Sequence, residues 1–288
     1  MDNLASVSYD LGDPAGAQPL DREALDVRRA IGNKAAVARS LVNMAESMSD
    51  YFNNSEARTL ALEAVAINRS LSNKAELGYS LIILSRILLR SAAFAEAKAS
   101  AEEAQNINDS LQDAEAIAES RLVLAEVVLE AGDNRKAESL ARQAATSKDL
   151  EARLKGLTVA ARALIAQGNP VEARATMREA LSASADASLR TGLQVQIASA
   201  EIEAAEGKET IAVRRLEKVS DTSRRNGLHF FMLRARLDAL SIKRNLPSQQ
   251  TAGIEGDLQA LATEAASSGY KLIGLKASSA SADASREP

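Results

Sequence analysis

A 40-residue internal repeat governs what this 288-residue chain can fold into. Residues 23–41 read EALDVRRAIGNKAAVARSL and residues 63–81 read EAVAINRSLSNKAELGYSL, with eight of the nineteen positions identical. Aliphatic exchanges such as Val27/Ile67 and Ile31/Leu71 keep the same register. A further step of 40 reaches Glu103, Ala104, Ile107, Leu111 and Ser120, and a step back places Asn3 on Asn43 and Ala5 on Ala45. Self-similarity at this spacing marks a stack of supersecondary units, each of which buries its apolar face only against its neighbours.

Each unit reads as two helices. Leu122, Leu124, Ala125, Val128 and Leu129 recur at helical spacing, Gly132-Asp133 interrupts, and Ala137, Leu140, Ala141 and Ala144 form a second apolar stripe. Gly12-Asp13-Pro14, Gly132-Asp133 and Gly168-Asn169-Pro170 each supply a residue for a left-handed helix end, then a cap for the next helix. Asn33, Asn73 and Asp113 are candidate caps at the alternate turns. Turns this short force neighbouring helices antiparallel.

Small residues supply a ruler. Ala17, Ala57, Ala97, Ala137, Ala173 and Ala212 recur in the second helices, and twelve residues upstream of each lie Ala5, Ala45, Ser85, Ala125, Ala161 and Ala200. Small side chains at these crossings let paired helices approach closely, while Leu41, Leu84, Leu88, Leu124, Leu157 and Leu164 pack around them. After Gly227 the ruler weakens, with helices expected near 228–245 and 251–269.

Composition removes several classes of function. The chain has no Cys and one His, which excludes a disulfide framework, thiol chemistry and any site needing two imidazoles. The 35 basic and 39 acidic residues are interspersed, so neither nucleic acid nor a membrane surface is an expected partner. Arg28-Arg29, Arg214-Arg215 and Arg224-Arg225 are dispersed and lack interleaved aromatics. The most apolar stretch, Leu81 to Leu89, is broken by Arg86, too short for the ~20 residues that span a bilayer. The first twenty residues carry no basic and apolar leader pattern, so the expected compartment is the cytoplasm.

The spacing of Ala45, Ala57 and Ala64, repeated in Ser85, Ala97 and Ala104 and in Ala161, Ala173 and Ala180, resembles the tetratricopeptide repeat. Units of 36–40 residues and the missing proline at the end of the second helix depart from its usual form. This longer variety, with its LGD and IGNK turns, is similar to arrays in bacterial signalling kinases and in maltose-regulator-like transcription regulators. The resemblance implies an all-α, right-handed superhelical solenoid of about seven antiparallel helix pairs. No phosphate-cradling loop or catalytic Asp motif accompanies it, so kinase activity is not implied. Residues 1–220 are expected to hold the repeats, 221–277 a degenerate C-terminal helix pair or cap, and 278–288 a disordered polar tail. Because Asn3 aligns with the middle of a first helix, the chain reads either as cut from a longer protein or as opening on a shortened terminal unit.

The resemblance also implies that the first helices line a concave groove where peptides bind. One groove position reads Glu46, Arg86, Glu126, Arg162, Glu201, alternating in sign, and another reads Asp50, Arg90, Glu130. With adjacent helices ~10 Å apart, these charges form either a solvated ion-pair ladder worth roughly 0–1 kcal/mol per rung or a set of arginines that fork onto a partner's carboxylates. Asn3, Asn43 and Arg39 match positions at which peptide-clamping relatives carry polar residues, but Ile83 stands where a third is wanted. Tyr79, Ile82, Leu122 and Ile197 are candidates for an apolar groove floor. His229, lodged in LHFFM, reads as a packing residue rather than a base or ligand. No cofactor, metal or catalytic residue is implied. The expected function is a non-catalytic scaffold for a protein or peptide partner within a bacterial signalling or regulatory protein; the alternative is a ligand- or signal-peptide-sensing domain, which a deep closed pocket on the concave side would favour.

Overall fold

The computed structural model describes residues 2–246 and 253–282, the side chains of residues 2, 3, 6 and 10 excepted. Its helices run α1 (Asp2–Asp10), α2 (Pro14–Ile31), α3 (Lys34–Tyr51), α4 (Asn54–Ser70), α5 (Lys74–Arg90), α6 (Phe94–Leu111), α7 (Ala114–Glu130) and α8 (Asn134–Ala144). They continue as α9 (Leu150–Ala166), α10 (Pro170–Ala183), α11 (Leu189–Ala205), α12 (Glu209–Arg225), α13 (His229–Arg244), α14 (Ile254–Ser267) and α15 (Lys271–Ala282). No strand interrupts them among the described residues, and the fold is a right-handed solenoid of antiparallel helix pairs.

The capping residues read from the sequence do the work of ending and restarting the helices. Asp13, Asn33, Asn73, Asp113, Asp133 and Asn169 each accept a hydrogen bond from a backbone N–H in the first turn that follows. Between units the chain turns through a left-handed residue at 40-residue intervals, Gly32, Ser72 and Gln112, so the turn geometry is retained even where glycine is not.

Every residue of the small-residue ruler from Ala5 to Ala212 is at most 1% exposed. Each therefore sits at a helix crossing where a larger side chain would force the pair apart. Leu41, Leu84, Leu88 and Leu124 fill the same continuous core as Ala57, Ala97 and Ala137.

Curvature brings the array back onto itself. α13 packs on α3, and α15 packs on α5, so the C-terminal helices lie over the concave face of the N-terminal units. At this seam the backbone N–H of Asn54 donates to the Ser268 carbonyl at 2.9 Å, and the Tyr270 hydroxyl donates to the Ser49 carbonyl at 3.0 Å. The buried Asn54 amide donates to Ile87 O, Ser91 Oγ and Gly269 O and accepts from the Ser49 hydroxyl. A Cβ on Gly269 would stand 2.7 Å from the Ser55 backbone nitrogen, and its φ is +80°, so only glycine admits this approach. His229 closes the seam as a packing residue, its ring 5.7 Å from that of Tyr270 and its Nε2 3.3 Å from Ser268 Oγ.

Two expectations about the C-terminus need correction. Three helices, not a pair, follow Gly227. The expected polar tail is helical as far as Ala282, because Ile273 and Ala277, four apart, bury against α14 and give the Ser-rich stretch an apolar face; residues 283–288 lie outside the described residues.

Candidate functional site

The first helices α3, α5, α7, α9 and α11 turn one face to the inside of the superhelix, and α13 covers them. Between them lies a cavity of about 320 Å³, continued by a second of about 120 Å³. Arg86, Arg90, Glu126, Gln194 and Phe231 line both.

The charge ladder runs through this interior and is largely shielded from solvent. Arg86, with 18% of its side chain exposed, lies 3.8 Å from Glu46, 3.9 Å from Glu126 and 3.5 Å from Glu119. None of these approaches is a hydrogen bond. Burial alone would weaken the hold of Arg86 on its proton, but Glu126, Glu119 and Glu46 outweigh it, so Arg86 is a fixed cation. The Glu126–Arg162 rung is broken: Arg162 reaches instead to Glu201 at 3.0 Å and to Glu130 at 3.5 Å. Three of the four expected rungs, Glu46–Arg86, Arg86–Glu126 and Arg162–Glu201, therefore form as ion pairs, partly shielded rather than fully solvated.

The second groove position is tighter still. Arg90 donates to Asp50 at 2.7 Å and to the Ser49 hydroxyl and carbonyl, while its guanidinium lies 3.7 Å from the centre of the Phe230 ring. Arg190, from the start of α11, reaches across the cavity to Asp50 at 3.1 Å. Burial would raise the Asp50 carboxyl, yet Arg90 and Arg190 hold it below the usual carboxylate range. Glu130 does not meet Arg90. It pairs with Arg162 and with Lys276 of α15, and these cations, with Arg234, overcome burial and bring it down to about 2. Deeper in, Arg234 bridges Glu201 at 2.7 Å and Asp238 at 2.9 Å. Burial and the neighbouring Glu201 push the Asp238 carboxyl up. Glu151 accepts from the Ser188 backbone N–H at 2.6 Å and from the Ser188 and Thr191 hydroxyls, fixing the start of α11.

Of the residues singled out in sequence, Glu46, Arg86, Arg90, Glu126 and Arg162 meet at this cavity. Arg39 points outward and pairs with Glu76 at 2.7 Å. Asn43 is exposed and borders a separate cavity of about 170 Å³ with Tyr9 and Tyr51. Asn3 belongs to α1, and its side chain lies outside the described residues. Tyr79 is 42% exposed and its hydroxyl donates to Glu46 at 3.4 Å. Ile82 and Leu122, read as groove floor, are corrected to core: they are 3% and 0% exposed and border neither cavity. In their place Ile83, Ile87 and Phe231 form the apolar wall of the larger cavity. Sequence reasoning missed Arg190 and Gln194, although with Ile197 and Glu201 they form one stripe along α11. Arg234 and Lys276 lie beyond the end of the ruler, and no periodic signal marked them.

No group of His, Cys, Asp and Glu among the described residues is arranged to hold a metal ion, and no helix of the described residues is long and apolar enough to cross a membrane.

Tetratricopeptide-repeat models match residues 1–31, which span α1 and α2, and residues 156–179, which fall on the α9–α10 pair. At these two places the chain carries tetratricopeptide repeats. Among solved structures it is similar to a Rap protein complexed with Competence and Sporulation Factor, with 12% identity and a TM-score of 0.61 over 88% of this chain and 75% of that one. It is also similar to the Rap conjugation gene regulator of plasmid pLS20 in complex with the Phr* peptide, with 12% identity and a TM-score of 0.56 over 91% and 73% of the two chains. At this identity the likeness is one of fold. No curated protein sequence matches the chain.

Proposed function

We propose that this protein is a non-catalytic peptide-binding module that senses a short signal peptide or a partner segment on its concave side, within a bacterial signalling or regulatory system. The observation that carries this reading is the enclosure of the concave face: six helices wall a charged cavity of about 320 Å³, a size typical of ligand sites and too closed for a flat partner surface. An open scaffold would leave the first-helix faces free, whereas here α13 and α15 cover them. Of the two similar Rap structures, one is complexed with Competence and Sporulation Factor and the other with the Phr* peptide, which favours a peptide over other ligands of that size. A non-catalytic role fits the chemistry of the lining: Glu151 is engaged by the start of α11, Asp50 by two arginines, and the single histidine lies at the seam rather than in the cavity.

Affinity selection from a random hexapeptide library, with retained peptides identified by mass spectrometry, tests the proposal. Wild type should enrich peptides, and Gln194→Trp, which fills the shared part of the cavity, should lose that enrichment while keeping its helical circular dichroism. Equal enrichment by both proteins would place binding elsewhere and overturn the reading.

A further inference from the structure

The interior contains a charge imbalance with a definite location. Five carboxylates line the larger cavity or pair with its lining (Glu46, Asp50, Glu119, Glu126 and Glu151), against the four cations Arg86, Arg90, Lys155 and Arg190. Glu126 is the least engaged of the five. Its one cationic neighbour among the described residues is Arg86 at 3.9 Å, and it accepts no hydrogen bond there. Arg86 in turn makes only the three loose ion pairs, so its N–H groups are available to the cavity it lines. Gln194, one turn along α11 from Arg190, borders both cavities, and its amide has no partner among the described residues.

The Glu126 carboxylate keeps 19% of its side chain exposed, and a ligand that displaces water from it must supply donors and a positive charge in return, which also removes the imbalance. A primary ammonium does this with three donors. The adjacent guanidinium needs an acceptor close to that ammonium, and the amide of Gln194 can both give and accept a hydrogen bond beyond it. An α-amino terminus has this sequence of groups: ammonium, one carbon, carbonyl, then N–H. A carboxyl terminus has the opposite sign and would add charge where carboxylates already exceed cations.

We propose that Glu126, Arg86 and Gln194 form a subsite for the free amino terminus of the bound peptide. Glu126 accepts from the ammonium, Arg86 donates to the first carbonyl, and Gln194 holds the next peptide unit. The first side chain lies against Ile83, Ile87 and Phe231, which selects an apolar residue there. This assignment rests on the peptide reading above.

The test uses the same random hexapeptide library in two forms, with free amino termini and fully N-acetylated. Wild type should enrich the acetylated library about tenfold less, the factor that loss of a charged hydrogen bond gives. Glu126→Gln, which keeps the shape of the side chain, should bind the two forms alike. If that variant does not fold, Gln194→Ala, with reduced enrichment of the free library alone, serves in its place. Equal enrichment of both libraries by wild type would overturn the subsite and leave the peptide reading standing. Enrichment of neither would overturn both.

Discussion

The stacked units and the seam that closes them are held together by different chemistry. Within the stack, Ala17, Ala57, Ala97 and Ala137 meet their partner helices in full burial, and leucines such as Leu41 and Leu84 fill the gaps between them. At the seam, beside Leu272 packed on the N-terminal core, directional polar contacts appear: Asn54 with the Ser268–Gly269 carbonyls, Tyr270 with Ser49, Arg190 with Asp50, and Lys276 with Glu130. Apolar stacking is non-directional and fixes the array as a whole. A polar seam is directional and sensitive to charge, so it can set how far the superhelix closes without deciding whether the array folds. The candidate site lies between the two, with its floor on the stack and its cover on the closing helices.

The difference is sharpest in what breaks each region. Leu84→Ala removes a 4% exposed side chain from the continuous core and should cost about 2–5 kcal/mol in denaturant unfolding. A cost near zero would mean that the stack is not built on the register described.

Acid should act on the seam. Glu130 is held at about 2 in the folded protein by Arg162, Lys276 and Arg234, below the ordinary carboxylate value. A group depressed on folding contributes stability above its unfolded pKa and loses it as pH falls toward its folded one. That contribution, of order 3 kcal/mol, is present above pH ~4.5 and disappears between ~4.5 and ~2. Thermal melts across this window should therefore show a smaller loss of stability for Glu130→Gln than for wild type; parallel losses would remove Glu130 from the account of closure.

Sequence made the stack legible because its contacts are local and repeated. Ala57 and Ala97 occupy the same position in successive units, and each capping residue acts within three residues of itself. The same register placed Arg86 and Glu126 on the inner face, since a helix fixes which residues share a side. It misassigned Ile82, whose neighbour Ile83 faces the cavity instead, and Leu122, which lies in the core one turn before Glu126. A rotation of about 100° per residue turns floor into core. The seam was not legible. Asp50 and Arg190 are 140 residues apart, and their meeting depends on the sum of small rotations between successive pairs, which no single motif encodes. Asn54 carries no sign of its role either, because residues 94 and 134, at the same place in later units, are Phe and Asn.

That equivalence supplies the most direct measurement of closure. Asn54 and Asn134 both begin the second helix of a unit, where a backbone N–H has no acceptor within its own helix. Only Asn54 meets the Ser268 carbonyl across the seam, at 2.9 Å. Amide hydrogen exchange followed by NMR should find the Asn54 amide protected and the Asn134 amide exchanging rapidly. Equally rapid exchange at both would show that the superhelix stands open and that the concave cavity is not enclosed.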